Sequence, residues 1–223
     1  MRTIVYVDGY NLFYSLLTKT PYKWLDLSRL FARLVRPIEP TSEIALIKYF
    51  TAPVLGSMAS DPRAEQRQAH YHRALKAAGG TEIIKGFHIK AVTTGVLVNA
   101  TQDINSDQRF QVQVMEEKQT DVNIALHMYR DAACQACDQV VLCSNDSDLE
   151  PALAMIRTDL PDIRLGLVLP RSAGNRSARR SGRLERHVHW TRESIHAEEL
   201  AASQFPDRLL DRRNRTIQKP SEW

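Results

Sequence analysis

The chain has 223 residues, 43% of them apolar and 25% charged, with a net charge of +4 and a pI of about 9.0. That length suits one compact domain with additions, and the balance is that of an ordinary soluble protein. Three cysteines exclude a disulfide scaffold, no apolar run reaches the ~18 residues of a membrane span, and the basic balance mildly favours a polyanionic partner.

Residues 3–8, "TIVYVD", read as a short buried strand that turns at Asp8 and Gly9 into a helix over "GYNLFYSLL". A second helix is expected over 27–35, stopped by Pro37, and a second strand over 43–52. A polar helix over 61–78 is bounded by Pro62 and by Gly79-Gly80, and "TEIIKGF" follows as a third strand. Residues 88–115 break the rhythm. "AVTTGVLVN" and "RFQVQVM" alternate as an inserted hairpin whose tip, "ATQDINSDQ", is turn-rich. A helix over 119–133, a strand "QVVLCS", a helix "LEPALAMIRTD" and a fifth strand "IRLGLVLP" complete the alternation. Repeated strand–helix units predict a three-layer α/β fold with a mainly parallel sheet. A domain over 1–191 is expected, with 192–223 as a C-terminal helix and a loose polar tail. The N-terminus lacks the pattern of a signal peptide, so a cytoplasmic protein with no membrane partner is expected. Cys134, Cys137 and Cys143 form a poor zinc site, a CxxC with one later Cys and no spaced His group; they are expected to be small structural thiols.

In an open parallel sheet, ligands gather beyond the carboxyl ends of the strands. Asp8 ends the first strand, and Ser144, Asp146 and Asp148 follow the fourth. If those strands are neighbours, three carboxylates meet, repel and raise one another's pKa unless a hard cation such as Mg²⁺ or Mn²⁺ joins them. Asp121 is the fourth candidate, and Lys118 shares its face if the helix has begun. Each residue has a local alternative. Asp8 is also readable as a turn residue, Asp146 or Ser144 as a helix cap, and Asp148 as a first-turn acid. Asn11 would then bond local backbone, and Lys118 and Asp121 would form an ion pair at a helix start.

"VDGYN", "EKQTD" and "SNDSD", in this order, resemble the NYN domains, a branch of the PIN-like metal-dependent ribonucleases that includes the LabA-like proteins. The resemblance runs over roughly 1–170 and more weakly to Trp190. It implies a PIN-like sheet, a Mg²⁺ or Mn²⁺ site on Asp8, Asp121, Asp146 and Asp148, and RNA cleavage aided by Asn11, Lys118 and Ser144. Gln119 and Asn145 stand where the family more often has glycine, and the hairpin is long.

The segment 170–186 carries Arg171, Arg176, Arg179, Arg180 and Arg183 on the edge of the expected acidic cleft. These arginines would hold flanking RNA phosphates, or else form a solvated basic surface. The leading expectation is a metal-dependent endoribonuclease acting on single-stranded or exposed RNA. A non-catalytic RNA-binding or assembly module is the alternative, and a small-molecule phosphohydrolase is a third. A homodimer through the hairpin is a further possibility. "VDGYN" lacks the glycine spacing of a dinucleotide-binding turn.

Overall fold

Strand β1 (Arg2–Asp8) is buried at every position after Arg2, as a strand covered on both faces must be. Its side chains alternate: Val5 and Val7 join one core cluster, while Ile4 and Tyr6 join another on the opposite face. A computed structural model of the chain describes residues 1–54, 61–96, 109–173 and 182–223, and β1 lies at the centre of its main sheet. That sheet has β3 (Thr81–Lys85), β2 (Glu43–Thr51), β1, β6 (Gln139–Cys143), β7 (Arg164–Val168) and β8 (Trp190–Arg192) in this order, all parallel. On one face pack α1 (Gly9–Leu12, continued as a π-helical turn Phe13–Leu17), α2 (Leu27–Val35) and α3 (Ala64–Ala78). On the other pack α4 (Thr120–Ala133) and α5 (Glu150–Asp159). The three-layer α/β fold expected from the alternation is present.

The sheet exceeds the five expected strands by β8. Gly166 makes that pairing possible, because a Cβ there would collide with the Trp190 indole. After a one-turn α6 (Gly182–Glu185) and β8, the expected late helix appears as α7 (Ala197–Ala201), where Glu199 accepts a hydrogen bond from the His196 N–H at 2.8 Å. The stretch expected as a loose tail is instead a docked hairpin of β9 (Arg208–Leu210) and β10 (Thr216–Gln218). Asp211 clamps its turn by accepting from the Arg213 and Arg215 N–H groups. Two large apolar residues of its second half reach the core: Ile217 is buried, and Trp223 meets Trp24 and Tyr71 edge-on.

The inserted hairpin is present as β4 (Phe87–Val96) and β5 (Arg109–Lys118), a separate two-stranded ribbon in unbroken register from Phe87↔Lys118 to Val96↔Arg109. Its tip, 97–108, lies outside the described residues. Paired residues share a face. One face therefore carries Phe87, Ile89, Phe110 and Val112, all exposed; the other carries His88, Lys90, Arg109, Met115 and Glu117.

On the α4 side of the sheet, Lys48 and Asp131 form a buried ion pair, and the Tyr6 hydroxyl donates to Asp131 at 2.8 Å. Burial works against the Asp131 carboxylate, but Lys48 and Tyr6 hold its pKa below the usual carboxylate range. Cys134, Cys137 and Cys143 are free thiols, the last two buried. Among the described residues no helix is long and apolar enough to cross a membrane.

Candidate active site

Because β1 and β6 are direct neighbours, the ends of two strands distant in sequence coincide. Asp8 leaves β1 as the N-cap of α1 and accepts from the Asn11 N–H at 2.9 Å. Its other oxygen accepts from the Ser144 hydroxyl at 2.9 Å. Ser144 Oγ in turn accepts from the Asp146 N–H at 3.0 Å, so one buried hydroxyl fixes both acidic motifs. Asn11 and Asn145 clasp reciprocally: Asn11 Nδ2 donates to Asn145 Oδ1 at 2.9 Å, and the Asn145 N–H returns to Asn11 Oδ1 at 3.2 Å. A glycine at 145 would keep only the backbone half of this clasp. Asp146 caps the short turn Ser147–Leu149 by accepting from the Asp148 N–H at 3.0 Å, and Asp148 is exposed. Capping and clustering thus coexist in the same residues.

Gly9 is fixed by crowding: a Cβ there would stand 2.6 Å from both the Phe50 carbonyl oxygen and Tyr49 Cζ. That close approach seats the start of α1 against β2 and aims Asp8 along the sheet edge.

Asp121 enters from the first turn of α4. Burial pushes its pKa up to about 6, and Asp146, Glu117 and Asp148 push the same way. Asp8 also rises to about 6: burial raises it, the Asn11 and Ser144 hydrogen bonds oppose this, and Asp121 and Glu117 add to the rise. The four expected acids are therefore electrostatic neighbours, and a fifth, Glu117, stands among them. Its carboxylate accepts from the Thr120 hydroxyl. The sequence reading passed over Glu117 in "MEEK"; strand alternation sets 117 opposite 116 and 118 but does not say which side faces the acids.

Lys118 takes that opposite side. Strand β5 runs through it, α4 begins only at Thr120, and its Nζ pairs with Glu116 at 2.6 Å. Between them Gln119 adopts φ 75°, the left-handed conformation that glycine fills without strain. Gly86 lets the ribbon pass, because a Cβ there would meet the Lys118 carbonyl oxygen at 2.5 Å. On the basic flank, Arg171 Nε donates to the Glu193 carbonyl oxygen at 2.5 Å and its guanidinium pairs with the Glu193 carboxylate. Arg183 is exposed, and Arg176, Arg179 and Arg180 lie outside the described residues.

The chemically competent donors for a cation are the carboxylates of Asp8, Glu117, Asp121, Asp146 and Asp148, an all-oxygen set that suits a hard ion. Among the described residues no three His, Cys, Asp or Glu close into a metal cage. Water and a phosphate would have to complete the coordination, as is usual for Mg²⁺.

Residues 2–176 match the NYN domain family. The 6-hydroxy-3-succinoylpyridine 3-monooxygenase HspA of Pseudomonas putida is 40% identical over 243 residues, covering 100% of this chain and 75% of that protein. A protein of unknown function from Vibrio parahaemolyticus aligns with a TM-score of 0.49 at 14% identity, covering 88% of this chain and 92% of its own.

Proposed function

The chain belongs to the NYN domain family, which is generally associated with metal-dependent nuclease activity, and on that premise we propose that it is a metal-dependent endoribonuclease acting on single-stranded or exposed RNA. The observation that carries this reading is the gathering of Asp8, Asp121, Asp146 and Asp148, with Glu117, within electrostatic reach at one sheet edge. Asp8, Asp121, Asp146 and Asp148 would hold Mg²⁺ or Mn²⁺. The ion, when bound, supplies charge that polarises a phosphate and aligns a water.

The remaining work falls to the chain. Ser144 holds the Asp8 carboxylate and the Asp146 backbone in one orientation. The Asn11–Asn145 clasp fixes the distance between the two motifs. Asp121, on the first turn of α4, would complete the acidic site or position the attacking water. Lys118 would reach a scissile phosphate only by leaving Glu116. Lys90 and Arg109, on the Glu117 face of the ribbon, extend a path for the RNA backbone. We take 1–191 as the catalytic unit and 192–223 as an appendage packed against it.

The test is cleavage of an RNA panel by purified protein with Mg²⁺ or Mn²⁺, against EDTA and Asp146→Asn. Ion-dependent cutting that disappears in a folded Asp146→Asn variant is expected. Wild-type protein that binds RNA and never cuts it would establish the non-catalytic module instead.

A second reading, hydroxylation of a pyridine ring, is favoured by the 40% identity along the whole chain to a protein named for that reaction. Such chemistry consumes O₂ and two electrons from a reductant. Oxygen uptake by the purified protein with that pyridine and a nicotinamide or flavin reductant would support it. No uptake beside metal-dependent RNA cleavage would eliminate it.

A further inference from the structure

Next to the acids, between α1, α3 and the end of β2, lies a cavity of about 540 Å³. It adjoins the site at two points. Gly9, which follows Asp8, forms part of its wall, and so does Met115, on the same ribbon face as Glu117. Its walls are aromatic: Tyr10, Phe13, Tyr14, Tyr49, Tyr71 and Trp223. The Tyr10 and Tyr14 rings stand 5.5 Å apart and tilted by 35°, with Tyr14 64% exposed. The Tyr10 hydroxyl is held at 3.2 Å from His88 Nε2, which anchors that ring to the ribbon.

Two cations share the same walls, Lys23 and Arg67. Lys23 is half-buried and forms no ion pair among the described residues. Arg67 Nη2 is bound to Asp61 at 2.7 Å, whereas its Nη1 is buried and has no hydrogen-bond partner among the described residues. That atom has almost no surface open to the cavity, and Asp61, the partner of its guanidinium, also lines the wall, so Lys23 is the cation that an anion seated there would meet. The volume is that of a small-molecule site rather than of a polymer groove. Flat walls and one unpaired ammonium together select a planar aromatic ring bearing an anionic group.

We propose that the cavity seats one unstacked nucleotide of the RNA, its base against Tyr10 and Tyr14 and its phosphate on Lys23. This rests on the hydrolase reading for the identity of the ligand, but not on turnover. Unpaired bases are commonly received on aromatic side chains, which tolerate any base because every base has a flat face. The acids beside the cavity would then meet the backbone bond adjoining the seated nucleotide, so cleavage would require an unpaired base at that position.

Isothermal calorimetry in EDTA, with nucleoside 5′-monophosphates, the matching nucleosides and pyridine-3-carboxylate, tests the assignment. Saturable binding of a monophosphate is expected, tighter than that of its nucleoside. Tyr14→Ala should weaken it about tenfold by removing a stacking surface, and Lys23→Gln should erase the advantage of the phosphate. Tyr14 is mostly exposed, so its variant should keep the parent melting temperature. Three results would overturn the proposal: no binding of any monophosphate, binding unchanged in both variants, or tighter binding of the pyridine carboxylate than of every monophosphate. Because neither metal nor cleavage is involved, an empty cavity would leave the hydrolase reading intact. Nucleotide binding without RNA cleavage would sink only that reading.

Discussion

The six-stranded sheet and the β4–β5 ribbon are made of the same kind of paired strand, yet they stand in opposite environments. Strands β1 and β6 are covered by helices on both faces, with Val141 and Leu142 fully buried. The ribbon pairs only with itself and leaves Phe87, Ile89, Phe110 and Val112 in solvent. A lone two-stranded hairpin is marginally stable in water. Rigidity therefore resides in the sheet, which positions four of the clustered acids at its edge or on α4, while the ribbon contributes Glu117 and the basic side chains beyond it. The part that holds four of the acids and the part that holds Glu117 and the basic side chains are under different constraints.

The largest expected contrast lies in packing. Leu142→Ala should cost about 2–5 kcal/mol in urea denaturation, whereas Phe110→Ala should stay within about 0.5 kcal/mol. Equal losses would mean that the ribbon belongs to the cooperative core.

A pH series separates the sheet edge from the rest of the sheet. Asp8 titrates near 6 folded against an ordinary 3.8. The folded chain therefore keeps a proton that the unfolded chain has released. The contribution of Asp8 to stability is greatest below about 4, falls as pH rises toward 6, and above that carries the full penalty, on the order of 3 kcal/mol for this buried group. Thermal melts at pH 4, 5, 6 and 7 should show this component, and Asp121→Asn should reduce it by removing a second carboxylate raised to about 6 and one of the smaller repulsions on Asp8.

Glycines sharpen the same contrast. Gly9→Ala should cost about 1–3 kcal/mol because its new methyl meets fixed backbone, whereas a Cβ at Gly95 would stand an ordinary 3.6 Å from Val112 Cγ2 and Gly95→Ala should be nearly neutral. Chemical denaturation of the two variants checks this. The smallest effect is a gain: Gln119→Gly should add about 0.5–1 kcal/mol by relieving the left-handed residue where ribbon and sheet domain meet.

Much of this was legible in the sequence, for reasons specific to each residue. A continuous apolar run that ends in Asp8, and another that ends before Ser144, can only be buried strands with polar ends. Parallel alternation then makes their meeting a matter of strand order. The ribbon showed itself through its period of two. The side of that ribbon on which each acid falls was not legible, because Glu116 and Glu117 are chemically alike and a one-residue shift exchanges them. Lys118 was expected to share a face with Asp121 only if the helix had begun by then, and it begins at Thr120. The final hairpin escaped notice because its strands are three residues each, and Leu209, Leu210 and Ile217 are too few to show a period.

The buried trio of Tyr6, Lys48 and Asp131 has a role in spacing. Tyr6 lies two residues before the first acid on β1, and Asp131 lies on the helix whose opening turn carries Asp121. The phenol–carboxylate bond between them works as a strut across the layer boundary, setting how far α4 can slide along the sheet. The gap between Asp8 and Asp121 is thus gauged from the opposite end of the helix, by buried groups.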